Sequence, residues 1–200
     1  MTLRDFVFPF FLSNFAVAGR GMCPGPENHS DMHTAYILLG GNQGRVATAF
    51  SRALDMLEKR AGKLIRVSPL YESEPWGMGP APAFFNQAAC LQTTLSPPAL
   101  MEVILEVEAG LGRRRSHSGT PESRVIDIDL LFYDGDIMDG PGLYLPHPRL
   151  HLRRFALQPL ADIAPGLMHP VLNKNVSQLL RDCGDPLWVR RVEGDQQAVS

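Results

Sequence analysis

The chain lacks the usual loops for holding a nucleotide. It has no G-x-x-x-x-G-K-[ST] phosphate loop and no G-x-G-x-x-G fingerprint. Gly40-Gly41-Asn42-Gln43-Gly44 is glycine-rich but has no lysine, so any nucleotide is held another way. No Gly-x-Ser-x-Gly elbow argues for serine hydrolysis, and no CxxC pair or zinc spacing appears. The three cysteines, Cys23, Cys90 and Cys183, are far apart and odd in number, which fits buried thiols and a cytoplasmic, reducing setting. A net charge of −2 gives no bulk attraction to nucleic acid or anionic membrane, so any phosphate affinity must be local. No run is long and apolar enough to span a bilayer. The 200 residues, 44% hydrophobic and 20% charged, suit one globular domain with an appendage.

What is present centres on Asp127-Ile128-Asp129, inside the run Arg124 to Tyr133 that reads as a β-strand. Alternation puts the two carboxylates on one face and Ile126, Ile128 and Leu130 on the other. Adjacent acids repel, and a divalent cation relieves that repulsion. Hard oxygen ligands at this spacing suit Mg²⁺, which takes its remaining ligands from water and substrate phosphates. A strand with a merely solvated face is the plain alternative. Arg113, Arg114, Arg115 and Arg124, which bracket the polar stretch Ser116–Ser123, favour the metal. Metal-holding acids beside phosphate-holding arginines are the parts of phosphoryl transfer.

Residues 1–31 read as a non-domain extension, with Met32 opening the folded unit, 32–200. Phe6 to Ala18 is apolar and Ala16-Val17-Ala18 imitates a signal-peptidase site, but Pro9 and Asn14 interrupt the run. From Thr34 the pattern predicts a strand over Ala35–Leu39 and a turn at Gly40-Gly41-Asn42, with Asn42 as cap. A helix follows over Gly44–Lys59, then strands over Leu64–Tyr71 and Phe84–Thr94. Ser96-Pro97-Pro98 opens a second helix that Gly112 stops, and the Asp127 strand follows. The order β-α-β-β-α-β predicts an α+β, ferredoxin-like antiparallel sheet with two helices on one face, extended by a mostly helical C-terminal segment. No internal repeat or low-complexity tract is visible.

Three groups stand out of place. At 100° per residue, Glu108 falls inside the apolar arc of Leu100, Val103, Ile104, Val107 and Leu111, so it either pairs with an arginine or touches a ligand. Phe84 and Asn86 share a strand face, which is either core plus a satisfied amide or a stacking surface with an edge donor for a planar heterocycle. Pro146 to Phe155 packs two histidines, three arginines and a phenylalanine, a solvated basic start to a helix or a phosphate- and base-binding segment.

In order, the motifs Ala35–Asn42, Ser73-Glu74-Pro75-Trp76-Gly77, Phe84-Phe85-Asn86-Gln87-Ala88, Arg124–Leu131, Pro146-His147-Pro148-Arg149-Leu150 and Arg153-Arg154-Phe155 resemble the 6-hydroxymethyl-7,8-dihydropterin pyrophosphokinase family of folate biosynthesis. The likeness runs from about Ala35 to Leu180. It implies Mg²⁺-dependent transfer of pyrophosphate from ATP to the pterin hydroxymethyl group, releasing AMP. It also implies two Mg²⁺ on Asp127 and Asp129. Phe84 and Phe155 would sandwich the pterin. Gly40, Asn42, Asn86 and the loop Ser73, Glu74, Pro75, Trp76 would complete the pterin site. Glu108, Arg115, Ile128, His147 and Arg153 would lie on the ATP side, and Arg113 and Arg124 nearest the chemistry. The stretch Ser116–Ser123 departs from the family pattern, lacking an arginine and a Trp-Gly-Pro-Arg run. Gly41 stands where a serine is usual, and Phe84 where a tyrosine is frequent.

The expected partners are small molecules, with no nucleic acid or membrane, and the expected state is a monomer. Two other readings fit part of the pattern: a non-catalytic pterin-binding relative with an altered loop, and another Mg²⁺-dependent nucleotidyl or phosphoryl transferase. The same element order also builds RNA-binding modules, but those present aromatics and basic charge where this strand presents acids.

Overall fold

The computed structural model describes residues 32–77, 81–113, 123–140 and 142–193. Residues 1–31 and 114–122, and with them Arg115, lie outside the described residues. The strand β1 (His33–Gly41) is nearly continuous apolar sequence because both its faces are covered. It is followed by α1 (Val46–Arg60), β2 (Lys63–Val67), β3 (Tyr71–Ser73), β4 (Phe84–Thr93), α2 (Pro97–Gly110) and β5 (Asp127–Tyr133). The hairpin β6 (Met138–Gly140) and β7 (Leu143–Leu145) comes next. Then come α3 (Arg154–Ile163), β8 (Met168–His169), β9 (Lys174–Asn175), α4 (Val176–Asp182) and β10 (Val189–Arg191). The main sheet is antiparallel in the order β10-β3-β4-β1-β5, with β2 also paired to β4.

The predicted β-α-β-β-α-β frame is present. One core packs α1 and α2 residues such as Phe50, Leu57, Leu100 and Ile104 on Ile37, Leu39, Ile126, Ile128 and Leu130. A second, on the other face, packs α3 and α4 on Leu38, Ala88, Cys90, Leu131 and Phe132. The register of β1 against β5 slips between Tyr36 and Ile37, which are opposite Phe132 and Leu130. The extra residue, Leu131, is a bulge that turns Phe132 to the second core and Tyr133 back to the first.

Several local expectations change. The single strand predicted over Leu64–Tyr71 is two, broken at Ser68-Pro69-Leu70, because Pro69 has no N–H for the ladder. Ser68 bridges the break: its N–H donates to Ala88 O at 2.8 Å and its Oγ accepts from Ala88 N–H at 2.9 Å. Asn42 does not cap α1; Arg45 holds that position without a side-chain cap bond. Ser96 is at the N-cap of α2 but makes no cap bond either. Gly62 follows the C-cap Ala61 of α1 at φ +140°, where a Cβ would lie 2.0 Å from Gln92 O. The C-terminal segment is less helical than predicted, adding β8, β9 and β10 to α3 and α4. The run Val189-Arg190-Arg191 carries no apolar alternation, so only its pairing with β3 makes it a strand.

Candidate active site

Three neighbouring strands set the floor of the site. Asn86 of β4, Gly40 of β1 and Asp127 of β5 are in register, so they share one sheet face. A Cβ on Gly40 would lie 3.7 Å from Asn86 Oδ1 and 4.0 Å from Asp127 Cβ, so glycine keeps the floor low between amide and carboxylate. Asp129 follows on the same face, opposite Leu38. The apolar side chains Ile126 and Ile128 turn to the first core, as their alternation requires.

Asp127 is gripped on both oxygens. Arg113, just beyond α2, pairs with Oδ1, and Arg124, leading into β5, pairs with Oδ2. Arg113 also pairs with Glu108, which is 1% exposed and accepts from Ile128 N–H at 2.7 Å. Glu108 thus has the arginine partner that its place in the apolar arc called for, and its carboxylate ties α2 to β5. Arg153 lies 3.7 Å from Asp129 and its Nε has no hydrogen-bond partner among the described residues. Its guanidinium reaches His147 Nε2 at 3.4 Å.

The charges are strained against one another. Burial, then the Asp127 carboxylate, pushes Asp129 up to about 6, with Glu108 adding to the rise and Arg153 and Arg113 opposing it. Even so, 35% of the Asp129 side chain stays open to solvent, which leaves it reachable. Burial, then Arg153 and Arg149, holds His147 down at about 3. Burial also lowers Arg153.

Beside the charges lie aromatic rings. Trp76 and Phe155 have centroids 6.5 Å apart, inclined at 59°. The Arg153 guanidinium sits 5.0 Å from the Trp76 ring and 5.6 Å from Phe155. Arg149 stands 5.7 Å over Trp76, a neighbour that the sequence pointed to only as part of a basic run. Ser73 Oγ accepts from Asn86 Nδ2 at 3.0 Å, which locks the buried amide. Glu74 exchanges bonds with Trp188, its carboxylate accepting from Trp188 N–H at 3.1 Å, so the residue just before β10 tethers the loop containing Pro75. Phe84 pairs opposite Ser73 and shares a face with Asn86. Among the described residues, the ring contact of Phe155 is with Trp76.

Ile128 and Asn42, both expected beside the substrates, also make contacts within the protein. The Ile128 side chain is 3% exposed in the first core, and its backbone N–H donates to Glu108. Asn42 bonds to Ser123, Arg124 and Pro82 across the chain. Among the described residues, no group of three or more His, Cys, Asp or Glu side chains could hold a metal. Two same-face carboxylates that repel each other still fit Mg²⁺, because that ion fills most of its shell with water and phosphate oxygens.

Residues 36–165 match the sequence profile of the 7,8-dihydro-6-hydroxymethylpterin-pyrophosphokinases. A 2-amino-4-hydroxy-6-hydroxymethyldihydropteridine pyrophosphokinase of Methylorubrum extorquens is 39% identical over 163 residues, 81% of this chain and 100% of that protein. The one from Porphyromonas gingivalis is 38% identical over 141 residues, 70% of this chain and 95% of that protein. A solved Plasmodium falciparum HPPK-DHPS chain superposes with a TM-score of 0.66 at 18% identity, over 78% of this chain and 46% of that one. That likeness concerns the fold alone, and this chain spans less than half of the solved chain.

Proposed function

The chain belongs to the 7,8-dihydro-6-hydroxymethylpterin-pyrophosphokinase family, and we propose that its reaction centre is the carboxylate–arginine cluster at the start of β5. The reaction is transfer of pyrophosphate from ATP to the hydroxymethyl oxygen of the dihydropterin, releasing AMP, a step of folate biosynthesis. The observation that carries the placement is the convergence on Asp127 of Arg113 and Arg124, from the two ends of residues 114–122, beside Asp129 and Arg153.

Asp127 and Asp129 would hold two Mg²⁺ ions, which would supply charge neutralisation to the phosphates. The chain's own groups do the rest. Arg113 and Arg124 stand where negative charge builds as the bond from the β-phosphorus to the AMP oxygen breaks and the bond to the pterin oxygen forms. Arg153, backed by a neutral His147, faces the same cleft as a fixed cation. Phe155, Trp76 and Phe84 offer flat apolar surface for the pterin ring, and the Asn86 amide, fixed by Ser73, offers edge hydrogen bonds. Glu108 reads best as the residue that holds Arg113 in place, with the ATP contact expected of it secondary.

No described helix is long and apolar enough to cross a membrane. The reading includes a monomer acting in the cytoplasm on small-molecule substrates. Incubation with ATP, Mg²⁺ and 6-hydroxymethyl-7,8-dihydropterin should release one AMP per pterin pyrophosphorylated. No AMP above the pterin-free control would overturn the activity.

A further inference from the structure

We infer that Asn42 is a positioning residue for this reaction, setting where Arg124 stands rather than touching substrate. The inference rests on Arg124 acting on the transferring phosphates. Asn42 and Arg124 are 82 positions apart, and Asn42 holds the arginine's backbone from two sides. Its Oδ1 accepts from Arg124 N–H at 2.8 Å, and its own N–H donates to Arg124 O at 2.9 Å. Its Nδ2 donates to Ser123 Oγ at 3.0 Å, and Gln43 N–H adds a bond to Arg124 O at 3.2 Å. Every polar group of the Asn42 side chain is thereby turned toward Pro82 and residues 123–124.

Gly41 gives independent support. A Cβ there would lie 2.6 Å from Val125 O and 3.3 Å from Val125 C, both backbone atoms that cannot swing aside. Glycine at 41 lets the 124–125 backbone lie against the end of β1, and Asn42 fastens it there. The ladder between β1 and β5 starts only at Asp127, so this clamp holds the residues ahead of it. From that anchor the Arg124 side chain reaches Asp127, three residues on. A positioning error of about 1 Å can cost on the order of 100-fold in rate, which is why the clamp matters to turnover.

The test is a double-mutant cycle in the full chain, with steady-state kinetics for both substrates and thermal unfolding as a folding control. Asn42→Ala should lower kcat roughly 10- to 100-fold, the range for losing a backbone clamp of ~1–3 kcal/mol. KM for ATP and for pterin should each stay within about threefold, as for an interaction felt in the transition state. In an Arg124→Ala background the same change should cost less than about threefold, because the residue it positions is gone. Asn42→Asp keeps the acceptor for Arg124 N–H and should recover most of the rate. Gly41→Ala should reproduce the Asn42→Ala pattern from the other side of the clamp, and either variant carries the cycle should Asn42→Ala not fold. A raised pterin KM with kcat intact would make Asn42 a substrate contact and overturn the inference. So would an undiminished cost in the Arg124→Ala background. Arg124→Ala alone tests the underlying reading: an unchanged kcat there removes Arg124 from the chemistry, whatever Asn42 does.

Discussion

Ile37, Leu39, Ile126, Ile128 and Leu130 look toward α1 and α2, and none is more than 4% exposed. On the opposite face the same strands carry Leu38 and Ala88 under α3, and then Asn86, Gly40, Asp127 and Asp129. The first face is sealed by two helices and holds the domain together; each large side chain buried there contributes about 1.5–3 kcal/mol. The second is apolar at one end and charged at the other. The charged end gains little stability from its acids, since Asp129 is forced up to about 6 in the folded state. A region that spends stability in this way is where function is expected.

The sharpest way to break the comparison is to change one residue on each face. Asp127→Asn or Asp129→Asn should lower kcat by about 10³ or more, by removing a proposed Mg²⁺ ligand. Asp129→Asn should not lower the unfolding temperature at pH 7, because the ionised carboxylate is disfavoured by the fold. Leu39→Ala should do the reverse. It should cost about 2–5 kcal/mol in denaturant unfolding and leave turnover per folded molecule nearly intact. Near-normal activity of Asp129→Asn at saturating Mg²⁺, or its marked destabilisation, would mean that both faces serve the core.

The two arginines on Asp127 divide along the same line. Arg113→Ala and Arg124→Ala should each lower kcat by roughly 10²–10³, somewhat below the range for phosphate-clamping arginines elsewhere. Arg113→Ala should also destabilise the protein by roughly 2–4 kcal/mol, because Glu108 beneath it is buried and loses an ion-pair partner. Arg124 is more exposed than Arg113, 27% against 16%, and it pairs with the 22%-exposed Asp127 rather than with a carboxylate as buried as Glu108, so its loss should cost less stability. Kinetics alongside unfolding would show the split, and equal stability losses would argue against it.

Smaller effects are expected among the rings. Phe155→Ala and Phe84→Ala should raise the pterin KM about tenfold, the scale of one aromatic stacking contact plus its area, and leave the ATP KM nearly unchanged. Calorimetry in which ATP affinity falls equally would make the rings structural.

Sequence and structure agree most where periodicity carries the information. Alternation put Asp127 and Asp129 on one face, and the helical angle of Glu108 exposed it as a misplaced charge. Pro69 was visible, yet its break in the predicted strand depends on Ser68 bridging to Ala88, a contact twenty positions away. The hold of Asn42 on Arg124 was illegible for the same reason: a short polar residue after a strand reads as a helix cap until the distant backbone arrives. Tyr133 defeated simple alternation because a bulge leaves no mark in apolar sequence.

The smallest effect concerns His147 and is read in stability rather than rate. Both ring nitrogens face donors, Arg149 N–H at 3.3 Å from Nδ1 and Arg153 at 3.4 Å from Nε2. A neutral ring can accept one of them; a protonated ring can accept neither. With burial and two arginines against it, the ring stays neutral down to about 3. Because the folded value lies below the ordinary ~6.5, the unfolded chain binds the proton first as pH falls. The neutral ring therefore contributes stability that is complete above pH ~6.5 and lost progressively between ~6.5 and ~3. His147→Gln keeps an acceptor near Arg153 and cannot be protonated, so its unfolding free energy should fall less steeply across that window. The two curves should run parallel above pH ~7, where neither residue titrates. If they run parallel below pH 6 as well, His147 titrates as an exposed histidine would, and its ring is not enclosed by Arg149 and Arg153.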